Sequence, residues 1–252
     1  MKYLVGDIGN TLTKISLLNN KFKITKSFYT ETYKFKKLNY RKNFFKKLIK
    51  LDINKKILFS SVVPSTFESI KALLKKKKYE VVEIKDLKIK KMIKIRVNNI
   101  NQLGSDRIAN AIGSYKNYKN DCLVIDFGTA TTFDVIKKPG LYDGGVIAPG
   151  IKLSIINLNK STALLPFLNL RPTAKKYGKS TKEALNAGFI WGYQGLINNI
   201  ITKISKSSKI KYKIILTGGY SKLFKKFIIN NPIIDENITI RGVIEIYKKL
   251  LI

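Results

Sequence analysis

Residues 123–136, LVIDFGTATTFDVI, decide how the chain is read. An apolar run leads to Asp126, the small and hydroxyl residues Gly128-Thr129-Ala130-Thr131 break it, and a second run rich in β-formers leads away. That pattern predicts a buried strand, a tight turn and a return strand. Residues 4–17, LVGDIGNTLTKISL, repeat it, with Leu4/Leu123, Val5/Val124, Asp7/Asp126, Gly9/Gly128 and Thr13/Thr132 in one register. Each copy sets a carboxylate, a glycine and hydroxyl donors at a hairpin tip. Two such tips facing each other across a cleft would hold a polyphosphate and its cation, which is the organising expectation for the chain.

The totals bound that expectation. With 252 residues and 44% hydrophobic content the chain is long enough for two lobes with real cores. Its formal charge is +33, from 49 basic and 16 acidic residues. Such a balance suggests nucleic acid or an anionic membrane as partner. However, the only arginines are Arg41, Arg96, Arg107, Arg171 and Arg241, and the lysines are spread over the whole length among Ile, Asn, Tyr and Phe. Phosphate-clamping and base-reading surfaces favour the arginine fork. The lysine excess therefore reads as a compositional bias on solvated faces, and no specific nucleic-acid partner is expected. No histidine is present, which excludes Ser-His-Asp triads and His-ligated zinc. The single Cys122 on an apolar run fits core packing in a reducing compartment. Asp7 arrives too early for a signal-peptide core. The uncharged run 184–202 contains Asn186, Gln194, Asn198 and Asn199, which hydrocarbon would penalise, so a buried or interface helix is expected rather than a membrane span. A soluble cytoplasmic protein follows.

Taken in order, residues 3–9 and 12–18 form the first hairpin, with Asn19-Asn20 as the next turn and 21–29 as a third strand. Helical spacing covers 40–51, a strand covers 55–63 up to Pro64, and a helix capped by Ser65 or Thr66 with Glu68 runs to Leu74. Strands at 79–84 and 93–97 precede a helix whose inner face carries Ile108, Ala109, Ala111, Ile112 and Tyr115. The polar stretch 116–121 marks a lobe boundary, giving lobes 1–118 and 119–252. The second lobe holds the hairpin, a turn at Pro139-Gly140, helices near 151–158 and 181–204, a strand at 214–217, and helices from 221 and from 241 to 251. In the long helix Ala184, Gly188, Gly192 and Gly195 offer a surface on which another helix can lie close.

Acids are scarce, so Asp7, Asp106, Asp126 and Asp134, each within an apolar or Gly/Thr frame, draw attention. A strand-end aspartate can ligate a hydrated divalent cation that bridges to phosphate, or simply accept its own turn amides. Gly9-Asn10-Thr11 and Gly128-Thr129-Ala130-Thr131 supply amides and short side chains suited to phosphate, and Lys14 is within reach as a point charge or stands as an ordinary strand residue. Gly104-Ser105-Asp106-Arg107 opens a helix. It reads either as a cap or as a site where Asp106 takes a hydroxyl proton while Arg107 grips a carboxylate. Thr217-Gly218-Gly219 follows a strand, as a turn or as a close approach for a nucleoside.

The set DIGNT (7–11), GSDR (104–107), DFGTATTFD (126–134), GGVIAPG (144–150), GKST (178–181) and LTGG (216–219), in this order, resembles the type III pantothenate kinase family over nearly the whole chain. The resemblance implies an α/β fold of two ribonuclease-H-like lobes, mixed sheets flanked by helices, in the superfamily of acetate kinases, sugar kinases and actin-like ATPases. It implies a homodimer that phosphorylates the primary hydroxyl of pantothenate with ATP, Mg²⁺ and a monovalent cation, K⁺ or ammonium, as the first step of coenzyme A biosynthesis. Carried onto these residues, Asp7, Gly9, Asn10, Thr11 and Lys14 match the ATP-phosphate segment, with Asp7 on the Mg²⁺ side. Asp106 matches the general base, Asp126 the monovalent-cation ligand and Thr129, with Gly218 and Gly219, nucleotide contacts. Gly104, Ser105, Arg107, Thr181 and the position of Val97 match pantothenate contacts. The family usually has Ala where Ser105 stands, and Tyr-x-Asn-Pro where this chain has Val97-Asn98-Asn99-Ile100.

The expectation is thus an ATP-dependent pantothenate kinase. Its rivals are a non-catalytic regulatory homologue that binds nucleic acid through its lysines, and a superfamily kinase acting on another small hydroxyl substrate.

Overall fold

A computed structural model describes residues 1–173 and 176–252, and its contacts divide the chain into two units. The first unit comprises residues 1–119, 139–142 and 237–252, the second 120–138 and 143–236.

In the first unit, β1 (Lys2–Ile8) and β2 (Leu12–Leu18) form the expected hairpin, Asp7 opposite Lys14. The next strand, β3, spans Ile24–Glu31 rather than starting at 21. Residues 21–23 are taken up by a turn in which the Asn19 carboxamide oxygen accepts the Lys21 and Lys23 N–H groups, each at 3.0 Å. Strands β4 (Ile53–Ser61) and β5 (Glu80–Glu83) run parallel to β1, giving the order β3-β2-β1-β4-β5. Apolar residues of α1 (Leu38–Ile49) and α2 (Pro64–Lys75) bury Phe45, Leu48, Phe67, Ile70 and Leu74 against Leu4, Ile57 and Phe59 of the sheet. Because side chains alternate along a strand, Val5 and Leu58 point the other way. There α3 (Ser105–Tyr118) and α7 (Ile238–Leu250) contact β1 and β4. The start of α2 corrects the expected Ser/Thr cap: Val63 holds the cap position without a side-chain bond, and Pro64 enters first. A proline there has no N–H to satisfy and a helical φ built in.

The second unit repeats this plan. Strands β7 (Cys122–Phe127) and β8 (Ala130–Lys137) form the second hairpin, β9 (Leu141–Pro149) follows, and β10 (Lys213–Gly218) runs parallel to β7. With β11 (Ile233–Ile234) the order is β9-β8-β7-β10-β11, the same succession as in the first sheet. Its core joins Leu123, Ile125, Phe127 and Phe133 to α4 (Ile151–Lys160), α5 (Thr181–Ser208) and α6 (Ser221–Phe224) through Ile155, Ile190, Ile197, Ile201 and Phe224. Of the expected strand 93–97 only Lys94–Ile95 (β6) is paired, with Leu141–Tyr142, and both pieces belong to the first unit.

The last helix is another correction. It begins at Ile238, and it packs in the first unit although chain position placed it in the second lobe. Two glycines account for it: a Cβ on Gly242 would overlap Ala109 backbone, and one on Gly113 would overlap the Ile238 carbonyl. The backbones of α3 and α7 therefore lie closer than any side chain would allow.

Candidate active site

Within the first unit, the carboxyl ends of the parallel strands collect the candidate residues on one sheet edge, the edge where open α/β sheets bind ligands. Asp7 is the penultimate residue of β1, half-buried, level with Ser60 of β4. Just beyond it the hairpin tip is tied down: Gly9 N–H donates to Leu12 O at 3.1 Å, and the Thr32 hydroxyl donates to Gly9 O at 2.7 Å. Thr32 N–H donates to Thr11 O at 2.9 Å. Asn10 and Thr11 stay exposed. Lys14, 9% exposed, donates through Nζ to the Asn237 side chain and lies 5.2 Å from the centre of the Tyr29 ring.

The segment Gly104–Arg107 reaches the same edge. Ile8 O accepts Val62 N–H at 3.0 Å, and a Cβ on Gly104 would touch Val62 and overlap the Asp106 carboxylate. Gly104 thus gives Asp106 its place in the first turn of α3. The Asp106 carboxylate accepts Arg107 N–H at 2.7 Å. Burial pushes its pKa above the ordinary carboxylate value, against the opposing pull of that N–H and of the Arg107 and Lys85 charges. Arg107 stands 5.9 Å from the centre of the buried Tyr142 ring, and Tyr142 O accepts Arg96 N–H at 2.9 Å. Val97 follows at once, half-buried. Asp7, Asp106, Arg107 and Val97 therefore belong to one framework.

In the second unit three motifs far apart in sequence meet at the second tip. Gly128 N–H donates to Ala130 O at 3.1 Å, leaving Gly128 and Thr129 exposed. Gly218 has φ +83°, open to glycine, and a Cβ there would lie 2.5 Å from Asp126 Oδ1. Gly219 N–H donates to Phe127 O at 3.1 Å. A Cβ on Gly150 would overlap the Thr129 carbonyl. Asp126, half-buried, is thus flanked by backbone from β10 and from the start of α4. Thr181 stands outside these contacts, exposed in the first turn of α5, where Ser180 and Glu183 form a reciprocal cap. Asp134 is fully buried in β8 opposite Val124, within the sheet rather than at its tip.

Among the described residues no three Asp, Glu or Cys side chains converge as a metal cage. A strand-end carboxylate such as Asp7 fits a divalent ion whose other ligands are water and phosphate. The Asp126 carboxylate and the Phe127 carbonyl both border Gly218, and carboxylate and carbonyl oxygens are the donors that hard cations take. Two contributors carried no local signal in the sequence: Asn237 and Tyr142 act only through long-range packing.

A family model described as type III pantothenate kinase matches residues 3–203. A type III pantothenate kinase of Pelagibacter ubique (strain HTCC1062) is 46% identical over 242 residues, 96% of each chain. One from Sulfurihydrogenibium sp. (strain YO3AOP1) is 35% identical over 253 residues, 95% of this chain and 97% of that one. Among solved structures, a sugar-kinase-like protein from Cytophaga hutchinsonii superposes with a TM-score of 0.54 at 13% identity over 99% of this chain and 100% of that one. The activator of 2-hydroxyisocaproyl-CoA dehydratase from Clostridium difficile, with bound ADPNP, gives 0.52 at 11% over 97% and 92%. These two likenesses establish the sugar-kinase and actin-like ATPase fold.

Proposed function

The chain belongs to the type III pantothenate kinase family, a kinase of coenzyme A biosynthesis, and from that premise we propose how its residues divide the work. The substrates are pantothenate and ATP. In the first unit Asp7, Gly9, Asn10, Thr11 and Lys14 take the phosphate end of ATP, and Asp7 holds Mg²⁺, which supplies charge neutralisation on the phosphates. Asp106 accepts the proton of the primary hydroxyl as its oxygen bonds to the γ-phosphorus and the bond to the β-phosphate oxygen breaks, releasing ADP. Arg107, Gly104, Ser105 and Val97 orient the substrate, with Arg107 donating to the carboxylate of pantothenate. In the second unit Thr129, Gly218 and Gly219 take the nucleotide, Asp126 ligates K⁺ or ammonium, and Thr181 contacts pantothenate. The transfer depends on positioning and charge compensation far more than on covalent chemistry.

One observation carries the assignment of the base: Asp106 occupies the first turn of α3 at the carboxyl edge of the sheet, with its pKa raised by burial. A base poised closer to neutral pH transfers protons more effectively. The test is ADP release with and without pantothenate, with K⁺ or ammonium supplied and then withdrawn. Turnover that needs both pantothenate and the monovalent ion supports the reading; equal ATP consumption without pantothenate overturns it.

The working form is a homodimer in the cytoplasm. Exposed Ala184, Gly188, Trp191, Gly192 and Gly195 lie along one stripe of α5, and among the described residues a Cβ on any of the three glycines would meet nothing within 4 Å. On a chain of net charge +33 an uncharged stripe is where a second copy can approach without like-charge repulsion. No helix among the described residues is long and apolar enough to cross a membrane.

A further inference from the structure

Glu83 ends β5 at the same sheet edge as Asp7 and Asp106, and the chemistry above leaves it without a role. Its contacts are specific. One carboxylate oxygen accepts Ser61 N–H from the end of β4 at 3.2 Å, and the other accepts Lys85 N–H at 2.6 Å. Glu83 N–H donates to Asp86 Oδ2 at 3.4 Å, closing a reciprocal turn over residues 83–86. From that turn Lys85 Nζ reaches across to Asn101 O at 3.2 Å, in the loop that leads into α3. The Lys85 charge also acts on Asp106, lowering its pKa. On the far side of that loop Ser105 is 1% exposed. Its hydroxyl lies beside the Glu83 carboxylate, lowering the pKa of that group, yet closes no hydrogen bond among the described residues.

The turn therefore holds the segment that delivers Asp106 at Asn101, through Lys85, and faces it again at Ser105. We infer that Glu83 is a positioning residue for phosphoryl transfer, fixing through its turn and through the first turn of α3 the place where Asp106 meets the substrate hydroxyl. The inference rests on Asp106 being the base. A carboxylate suits the task because it alone offers two acceptor oxygens to two backbone N–H groups and leaves lone pairs for a hydroxyl. Misplacement of a catalytic group by about 1 Å costs on the order of a hundredfold in rate.

Burial is the main cause that raises the pKa of both Glu83 and Asp106. The groups facing Glu83 are Lys85 and Asp86 from its own turn, the Ser61 N–H from β4, and Ser105 from α3, with Asp106 and Arg107 next in the chain. Protonation of Asp106 removes the base, and protonation of Glu83 weakens its hold on the two N–H groups and lowers kcat further. On the acid side, kcat therefore falls with a slope steeper than one proton per pH unit.

Steady-state kinetics of the full chain tests this, with Asp106→Asn alongside. Glu83→Ala is expected to lower kcat by about tenfold to a hundredfold while leaving the KM for ATP within about twofold. Glu83→Gln keeps one acceptor oxygen, loses less, and reduces the acid limb to one proton, a change that a purely structural support would not produce. Should Glu83→Ala fail to fold, Glu83→Gln and its pH profile decide alone. Wild-type kcat and an unchanged acid limb in folded Glu83 variants, beside an inactive Asp106→Asn, overturn the inference alone. An active Asp106→Asn overturns the base assignment and this inference with it.

Discussion

Asp106 answers to two opposed demands. As a charged group it is penalised by burial, and as a base it needs the raised pKa that burial brings. Its native pKa exceeds that of the unfolded chain, so folding binds protons, and its contribution to stability is lost as pH rises through the native value. Asp106→Asn keeps the side-chain oxygen that accepts Arg107 N–H and removes the charge. The expected outcome is a turnover at least about a hundredfold lower, together with a higher Tm at pH 7. That Tm gain vanishes below the ordinary carboxylate range; a lower Tm at pH 7 would contradict the burial account. Gly218 presents a similar case in backbone form. Its φ of +83° and the nearby Asp126 carboxylate leave no room for a methyl group. Gly218→Ala should cost about 1–3 kcal/mol in denaturant unfolding and raise the KM for ATP.

Elements show where sequence sufficed and where it did not. Both hairpins were legible because an apolar run broken by a glycine turn is a local signal, and β1, β2, β7 and β8 lie within a residue or two of expectation. The cap of α2 was misread because Pro64 stands one residue ahead of the Ser-Thr pair and takes the first helical position itself. The α3–α7 contact was invisible, since Gly113 and Gly242 matter only to each other's helix and are 129 residues apart in a chain with many glycines. Gly242→Ala should therefore destabilise by about 1–3 kcal/mol, read as a lower Tm, with activity falling because Asp106 sits at the start of α3. On α5, Gly192→Glu adds a side chain and a charge to the exposed stripe. In light scattering it should turn a particle of about twice 28.7 kDa into one of that mass. A variant that stays at the doubled mass would place the contact elsewhere.

The whole molecule carries +33, and that charge is spread rather than patterned. Binding to DNA is expected to be independent of sequence and to disappear by about 0.2 M salt, as counterion release requires; tight binding that survives such salt would revive the regulatory reading. Of the site, the acids and glycines of the motifs were legible because carboxylates are rare in this composition. Their supports, Glu83, Tyr142 and Asn237, were not, because each acts through a partner brought near only by the fold.

The joining of residues 237–252 to 1–119 has a consequence for how the protein is made. While a ribosome is still translating the middle of the gene, the portion bearing Asp106 lacks its closing helix and keeps the Gly113 surface bare. The portion holding Asp126 ends at residue 236 and so has all its strands before that helix is made. Newborn chains should thus mature in reverse of their order of synthesis, and a stalled or shortened product would be born without a finished catalytic half.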